Sequence, residues 1–217
     1  MKITKFTQSC LLIETNGKRI LIDPGSINYD ESLLTNGWND IDTFLVTHKH
    51  PDHFCEPAVA EIMKNPKTKL YSSNEVAQFY PGIKFNVVRD GDVIDEGIKI
   101  EVVKAIHGFL AEMDDAREVI ENIGFILTIE GKRVYVTSDT ISFRNDYKCD
   151  ILCIPVSDHG VVMGAFEAAM IYKVTGANLL IPVHMDNPRY PVDLDVLAKD
   201  LADVNYKVLA VGESLEI

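Results

Sequence analysis

Histidine and aspartate side chains crowd into one short stretch, THKHPDH, at residues 47–53. The chain has six histidines in 217 residues, and half of them fall in this stretch. On an extended segment His48, His50 and Asp52 share one side, because alternate residues point the same way, whereas His53 must point elsewhere. Imidazole nitrogen with carboxylate oxygen suits Zn, Mn, Fe or Ni rather than Ca or Mg alone. The stretch can therefore offer ligands to two adjacent metal ions.

The elements on both sides of this stretch are predicted to hold it in place. Ile41–Thr47 is an apolar run typical of a strand, and Pro57 suits the first turn of a helix that runs to about Lys64. Pro51 fixes its own φ angle and biases His50 toward extended geometry. We therefore expect the histidines to occupy a loop between a strand and a helix.

Three further candidates each stand at the end of an apolar run. His107 ends EVVKAIH, Asp139 ends RVYVTSD and His184 ends LLIPVH. A titratable residue just beyond a buried strand lies on the rim of the sheet, where α/β proteins build their sites. Taken singly, each of these residues would also suit a hydrogen-bonded surface position. Their convergence with THKHPDH favours a metal centre.

The remaining pattern mixes strand runs with strand–helix alternation, which predicts an α/β or α+β layered fold. Further strands are predicted at 3–7, 10–14, 19–22, 70–72, 84–88, 98–106, 123–129, 132–137, 151–156 and 179–183, and further helices at 74–80, 165–174 and 192–204. Residues 25–40 read as a loop, and 107–121 as an acidic connection. The acidic run 112–118 could form a lid or be a solvated loop.

An internal similarity links two parts of the chain. LLIETNGKRILIDPG at 11–25 resembles FILTIEGKRVYVTSDT at 125–140, each with a turn, Gly-Lys-Arg and a later aspartate. A duplicated pair of half-domains would explain this similarity, and a chance likeness between two hairpins is the lesser alternative. Asn16-Gly17 is in either case a strong hairpin turn.

Composition excludes several classes of protein. Apolar residues make up 47%, charged residues 25%, and the formal net charge is −12, which argues against a non-specific nucleic-acid or anionic-membrane binder. No apolar run reaches the roughly 18 residues that span a bilayer, and MKITKFTQSC lacks the apolar core of a signal peptide. The four cysteines form no Cys-x-x-Cys pair, so we expect reduced, buried thiols in the cytoplasm. A homo-oligomer stays open.

THKHPDH resembles the His-x-His-x-Asp-His signature of the metallo-β-lactamase fold superfamily, and His107, Asp139 and His184 match its later ligand motifs in order. LLIETNGKRILIDPGS looks like the opening hairpin and Asp-Pro-Gly turn of that superfamily. CDILCIPVSDHGVVMGAFEAAM followed by IPVH resembles the branch that contains ascorbate-6-phosphate lactonase. The resemblance implies a four-layer αβ/βα sandwich. It implies one domain over 1–217, made of two similar halves, about 1–105 and 106–217.

The resemblance also implies two divalent ions per chain, with zinc as the first choice and Mn²⁺ or Fe²⁺ as alternatives. In the arrangement that the resemblance implies, one ion is bound by His48, His50 and His107. The other is bound by Asp52, His53 and His184, and Asp139 bridges both ions. Asp23, in the Asp-Pro-Gly turn, would lie just outside the ligands and orient them. Relatives often carry histidine where this chain has Gln8, and glycine where it has Ser138.

The implied activity is hydrolysis of a small-molecule ester, lactone or phosphodiester by hydroxide formed from a water that both ions share. Asp52 would orient that hydroxide and take its proton, and His159 is a candidate proton donor or substrate contact, or a loop histidine with neither role. Arg189 and Arg144 are candidates for gripping an anionic substrate, because guanidinium matches carboxylate and phosphate geometry.

Two alternatives from other classes stay open. One is a phosphodiesterase that processes nucleic acid, although the acidic chain offers no RNA-binding extension. The other is a non-catalytic metal-binding protein on the same fold, which lost ligands would indicate. All seven predicted ligands are present. A secreted β-lactamase is disfavoured, because Asp139 stands where many of those enzymes use cysteine.

Overall fold

The computed structural model describes residues 1–110, 117–141, 147–159 and 161–217. Over these ranges the chain forms two compact units, one of residues 1–89 and 209–217 and the other of residues 90–208. Arg144 and most of the acidic 112–118 segment lie outside the described residues. That the chain is one domain of two similar halves meeting near residue 105 stays a prediction.

The described strands and helices follow a strand-rich order. The strands are β1 (Lys2–Lys5), β2 (Leu11–Thr15), β3 (Lys18–Ile22), β4 (Thr43–Leu45), β5 (Lys69–Ser72), β6 (Asn86–Val87), β7 (Val93–Asp95), β8 (Lys99–Lys104), β9 (Ile123–Ile129), β10 (Lys132–Val136), β11 (Ile151–Pro155), β12 (Leu179–Val183) and β13 (Ser214–Glu216). The helices are α1 (Leu33–Asn36), α2 (Glu56–Ile62), α3 (Asn74–Phe79), α4 (Ala165–Thr175) and α5 (Leu194–Asp200).

The first unit contains a seven-stranded mixed sheet in the order β13-β1-β2-β3-β4-β5-β6. Pairing is antiparallel from β13 to β3 and parallel from β3 to β6. A core of apolar side chains, including Phe44, Leu70 and Val76, packs around it. The chain leaves the parallel strand β4 directly into THKHPDH, so this sheet presents the histidine-rich loop at the carboxyl end of a buried strand.

The second unit contains a six-stranded mixed sheet in the order β12-β11-β10-β9-β8-β7. Pairing is antiparallel from β7 to β10 and parallel from β10 to β12. All five residues of β11 are buried, as expected of a central parallel strand. His107, Asp139 and His184 follow β8, β10 and β12, and the parallel pairing brings the last two to the same end of the sheet.

The two similar sequence stretches form the same local structure. β2 and β3 are joined through Asn16-Gly17, with φ angles of 45° and 71°, and β9 and β10 through Glu130-Gly131, with 52° and 79°. Two consecutive positive φ angles are the mark of a type I′ hairpin turn, whose twist matches that of the strands. Each hairpin is followed by a parallel strand, β4 or β11.

The predicted elements are found, with different bounds. The predicted helix at 192–204 is wrong in extent: α5 begins after Asp193, whose side chain accepts from the amides of Asp195 and Val196, and ends at Asp200. Helix α1 interrupts the predicted loop at 25–40, and the short strands β7 and β13 were not predicted. No helix in the described ranges is long and apolar enough to cross a membrane.

Candidate functional site

The loop that follows β4 carries four candidate ligands in the first unit. The Nε2 atom of His48 lies 3.1 Å from the Nδ1 atom of His50. The ring of His48 is also close to that of His53, with 4.1 Å between their centroids. The Nε2 atom of His53 lies 3.9 Å from Asp52 Oδ2. His48 and His53 are also buried. These distances show that the loop presents nitrogen and oxygen donor atoms within a few ångströms of each other.

Asp23 organises the base of this loop. It has no exposed surface, and its Oδ1 accepts a hydrogen bond of 2.8 Å from the Thr47 amide. Its Oδ2 accepts from the Thr47 hydroxyl at 2.7 Å and lies 2.9 Å from His53 Nδ1. A carboxylate on the far nitrogen of an imidazole fixes the ring and its tautomer. This is the geometry required by the predicted orienting role of Asp23.

The turn at residues 24–26 packs directly against the same loop. The Cys55 amide donates to Pro24 O at 2.7 Å, and the amide and hydroxyl of Ser26 both donate to Pro51 O at 2.8 Å. A Cβ atom added at Gly25 would lie 1.8 Å from Asp52 O, inside van der Waals contact. Glycine is therefore required at this position by close approach of two backbones.

Gln8 contacts Asp52, the carboxylate that is predicted to accept a proton during hydrolysis. Its Nε2 lies 3.5 Å from Asp52 Oδ2, a long hydrogen bond, and its side chain is fully buried. Gln8 has a φ angle of 58°, and Asp23 one of 49°, both in the left-handed region that non-glycine residues seldom adopt. Such backbone strain clusters at functional sites, where the surrounding structure must hold it.

Asp139 is the centre of the candidate ligands in the second unit. Its Oδ2 lies 3.1 Å from His184 Nε2 and 4.0 Å from His107 Nε2. All three side chains are almost completely buried. A buried carboxylate between two imidazole nitrogens can hold a cation, because a charge in such a place must be paired or bound to metal.

The backbone before Asp139 is strained and held by a residue that sequence reasoning missed. Ser138 has a φ angle of 67°, in the left-handed region that glycine adopts without strain. The Ser138 hydroxyl donates to Asn122 Oδ1 at 2.6 Å, and Asn122 Nδ2 donates to Asp139 O at 2.5 Å. One buried amide thus supports both residues. Its only signal in the sequence is its place at the start of a strand.

The four most buried candidate histidines share one arrangement. In each, the Nδ1 atom contacts an oxygen outside the predicted ligand set, while Nε2 lies near another predicted ligand. The Nδ1 partners are Thr47 Oγ1 at 3.0 Å for His48, Asp23 Oδ2 at 2.9 Å for His53, Gly108 O at 2.7 Å for His107 and Ser157 Oγ at 2.9 Å for His184. Metal-binding histidines in proteins are oriented in this way. Thr47 and Ser157 are further residues that sequence reasoning missed.

The remaining predicted residues are placed as follows. The His159 ring lies beside that of His184, with 5.3 Å between centroids, and Tyr190 covers its other side at 4.7 Å. Arg189 is exposed, and its amide donates to Asn187 Oδ1 at 2.9 Å. Arg144 lies outside the described residues. His159 is thus adjacent to a candidate ligand, whereas no contact places the Arg189 guanidinium at the site.

Burial raises the pKa of two weak acids in the first unit, the buried Cys10 thiol and the half-buried Tyr80 phenol. Burial raises the pKa of the Cys10 thiol well above its usual value, and the nearby Asp23 carboxylate raises it further. All four cysteines are buried and unbridged, as predicted. Burial, with a smaller effect of Glu56, raises the pKa of Tyr80 to about 12. The phenol of Tyr80 donates to Lys49 O at 3.1 Å, and its raised pKa extends this hydrogen bond to more alkaline pH.

The raised pKa of Tyr80 predicts a loss of stability in alkali. In the unfolded chain the phenol ionises near pH 10, and in the folded chain near 12, so folding favours the neutral form. This contribution is present below about pH 10 and is lost as the pH rises from there toward 12. Urea unfolding at pH 9 and pH 11 should show a smaller drop for Tyr80→Phe than for the wild-type chain. An equal drop in both would contradict the assignment.

A family model described as a beta-lactamase superfamily domain matches residues 2–184. The chain belongs to the beta-lactamase superfamily. A UPF0173 metal-dependent hydrolase of Bacillus velezensis is 27% identical over 232 aligned positions that cover 100% of both chains. The predicted enzyme class, a metal-dependent hydrolase, is therefore confirmed, as is the superfamily that the sequence resembles. The narrower assignment to the ascorbate-6-phosphate lactonase branch is not confirmed by these comparisons.

Two solved structures share the fold of this chain. A metallo hydrolase from the hyperthermophilic archaeon Ignicoccus hospitalis has a TM-score of 0.79 and 21% identity, covering 100% of this chain and 98% of that one. A metallo-beta-lactamase fold protein from Bacillus subtilis has a TM-score of 0.76 and 18% identity, covering 99% and 98%. The predicted fold class, an α/β metallo-β-lactamase fold with two mixed sheets and helices, is confirmed.

Proposed function

We propose that this beta-lactamase superfamily member hydrolyses a small-molecule ester, lactone or phosphodiester with the help of two bound divalent ions. Zn²⁺ is the first choice of ion, and Mn²⁺ or Fe²⁺ are the alternatives. One observation carries the proposal: four buried histidines, two in each unit, are held through Nδ1 by an oxygen and turn Nε2 toward other predicted ligands. A purely structural histidine needs no such uniform arrangement, whereas a metal ligand does.

The donor set fits the proposed ions. Five imidazoles and two carboxylates are the ligand types that zinc, manganese and iron accept, and hard ions such as Ca²⁺ would demand more oxygen. Following the superfamily motif, we assign one ion to His48, His50 and His107, the other to Asp52, His53 and His184, and Asp139 to both. Asp23 then acts through His53, since its carboxylate fixes that ring.

The chain's own residues divide the remaining work. A bound divalent ion supplies Lewis acidity, which lowers the pKa of a water ligand and polarises the oxygen of a carbonyl or phosphoryl group. Asp52 is the proton acceptor, because its carboxylate is partly accessible, 22% exposed, and is steadied by Gln8 Nε2. His159, beside His184, is the group positioned to return a proton to the leaving oxygen.

The proposed substrate class rests on two arginines that the sequence offers as anion-binding residues. Arg189 and Arg144 are proposed to bind an anionic group on the substrate, which fits a phosphorylated lactone of the kind that the ascorbate-6-phosphate lactonase branch handles. The acidic chain, with a net charge of −12, disfavours polyanionic nucleic acid. Reduced, buried thiols suit a cytoplasmic enzyme, which completes the proposal.

Elemental analysis of the purified chain tests the metal part of the proposal, and a substrate panel tests the rest. We expect about two Zn, Mn or Fe per chain by mass spectrometry, and turnover of a lactone or ester before a generic phosphodiester. A chain that takes up none of these ions after incubation would refute the proposal. A chain that holds two ions but cleaves only nucleic acid would refute the small-molecule substrate.

Asp52→Asn separates proton transfer from folding. Because general-base catalysis contributes roughly 10²–10⁴-fold, we expect turnover on the best panel substrate to fall by about 10²-fold or more. The melting temperature of the metal-free variant should stay near that of the metal-free wild-type chain, since the carboxylate is partly accessible. Asp90→Asn, at an exposed aspartate remote in sequence from any ligand, is the matched control. Full turnover in Asp52→Asn would exclude the assigned role.

A further inference from the structure

Lys49 stands between two predicted ligands and faces away from them. His48 and His50 point to one side of the extended loop, so the intervening lysine points to the other. Its Nζ atom lies 2.9 Å from Glu75 Oε1, and the side chains are only 7% and 15% exposed. The ammonium also lies 5.4 Å from the centroid of the Phe79 ring. Glu75 and Phe79, four residues apart, lie on one face of α3.

Tyr80, just after α3, holds the same loop at two places. Its hydroxyl donates to Lys49 O at 3.1 Å, and its ring stacks on that of Phe54 with centroids 4.0 Å apart. Phe54 directly follows His53. Tyr80 therefore contacts the residue after the first predicted ligand and the residue after the last one in THKHPDH. The 24–26 turn supports the loop at Pro51, Asp52 and Cys55, so these contacts are a separate support.

A buried ion pair is a costly way to add stability. Removing an ammonium and a carboxylate from water costs several kcal/mol, and apolar residues of similar size often stabilise a protein as well or better. Such a pair fixes the orientation of the lysine side chain, because Lys49 Nζ must reach the Glu75 carboxylate. A fixed Lys49 side chain fixes its own backbone, and that backbone connects His48 to His50.

We propose that Glu75 and Tyr80 are positioning residues that set the metal affinity of the loop through Lys49. This inference rests on the proposed function, since it assumes that the loop binds metal. Glu75 Oε1 contacts Lys49 Nζ, and the Tyr80 hydroxyl contacts Lys49 O. They act by keeping the His48 and His50 rings at the separation at which both can bind, in the way that outer contacts tune metal sites.

Zn²⁺ affinity, measured by competition with a chromophoric chelator, tests the inference without any substrate. Removing an outer contact of a metal site costs about 10–100-fold in affinity, so we expect Glu75→Gln to weaken Zn²⁺ binding by about tenfold. Tyr80→Phe, which keeps the ring and loses the hydroxyl, should weaken it less. Glu61→Gln is the matched control. Glu61 is exposed on α2, and in the described part of the chain its carboxylate forms an ion pair with Lys64, just after that helix.

A double variant separates positioning from stability. Lys49→Met combined with Glu75→Met removes the ion pair and leaves apolar packing, so the melting temperature of the metal-free protein should not fall. Zn²⁺ affinity should still fall about tenfold. If the variants melt lower but bind Zn²⁺ as tightly as the wild-type chain, the pair is structural and the inference is wrong. If the wild-type chain binds no metal, the proposed function itself fails, and the inference with it.

Discussion

Replacing Asp139 with asparagine is expected to abolish activity and to lower the metal content from about two ions per chain to one or fewer. The carboxylate lies 3.1 Å from His184 Nε2 and is almost fully buried, so its loss removes a negative charge directly beside a predicted ligand. Asparagine keeps the size and one acceptor oxygen but loses the negative charge. Since bound metals contribute several kcal/mol of transition-state stabilisation, turnover should fall by about 10³-fold or more.

The stability of the metal-free variant distinguishes ligand loss from misfolding. A buried carboxylate that lacks a cation is costly, so its removal should leave the metal-free melting temperature unchanged or raise it. In the presence of Zn²⁺ the order should reverse, because metal binding stabilises the wild-type chain by mass action. Asp203→Asn, at an exposed aspartate of the same unit, should change neither quantity. A fully loaded and active Asp139→Asn chain would remove Asp139 from the ligand set.

The sequence predicted the candidate ligands because their signal is local. His48, His50, Asp52 and His53 are nearly contiguous, and Asp139 and His184 each follow an unmistakable apolar strand. The hairpin turn at Asn16-Gly17 could be predicted in the same way, because positive φ angles in such a turn restrict the residue types that fit. Where chemistry and backbone both depend on neighbouring residues, a single sequence is enough to predict them.

What the sequence could not predict depends on distant contacts. Asn122 supports Ser138 and Asp139 from 16 and 17 residues away, and Tyr80 supports Lys49 from 31 residues away. An asparagine or tyrosine carries no sign of such a partner in its own surroundings. The missed strand β13 is three residues long and largely exposed, so it lacks the apolar alternation that marks a strand.

The departures from the superfamily pattern gain a physical meaning only with the backbone. Ser138, where the resemblance leads one to expect glycine, adopts a φ angle of 67°, and its hydroxyl donates to Asn122 Oδ1. Gln8, where the resemblance leads one to expect histidine, contacts Asp52 Oδ2 through its side-chain amide. Both residues therefore lie beside predicted ligands and leave all seven of them in place.

Gly25→Ala is expected to destabilise the protein and to weaken metal binding together. The added Cβ would lie 1.8 Å from Asp52 O and 2.3 Å from Asp52 C, so backbone atoms must move rather than a flexible side chain. Overpacking costs about 1–3 kcal/mol, and contact with backbone puts this case near 3 kcal/mol. The atoms that must move belong to a predicted ligand, so Zn²⁺ affinity and turnover should fall along with the free energy of unfolding.

Gly82→Ala controls for the loss of a glycine as such. A Cβ atom at Gly82 meets nothing within 4 Å, so the substitution should be neutral or slightly stabilising by restricting the unfolded chain. Urea unfolding and chelator competition on both variants give the two quantities. If Gly25→Ala lost stability yet bound Zn²⁺ normally, the loop could shift without disturbing its ligands, and the tight packing of the 24–26 turn against Asp52 would serve folding alone. Parallel losses in Gly25→Ala, absent from Gly82→Ala, would tie the metal affinity of the loop to the backbone that supports it.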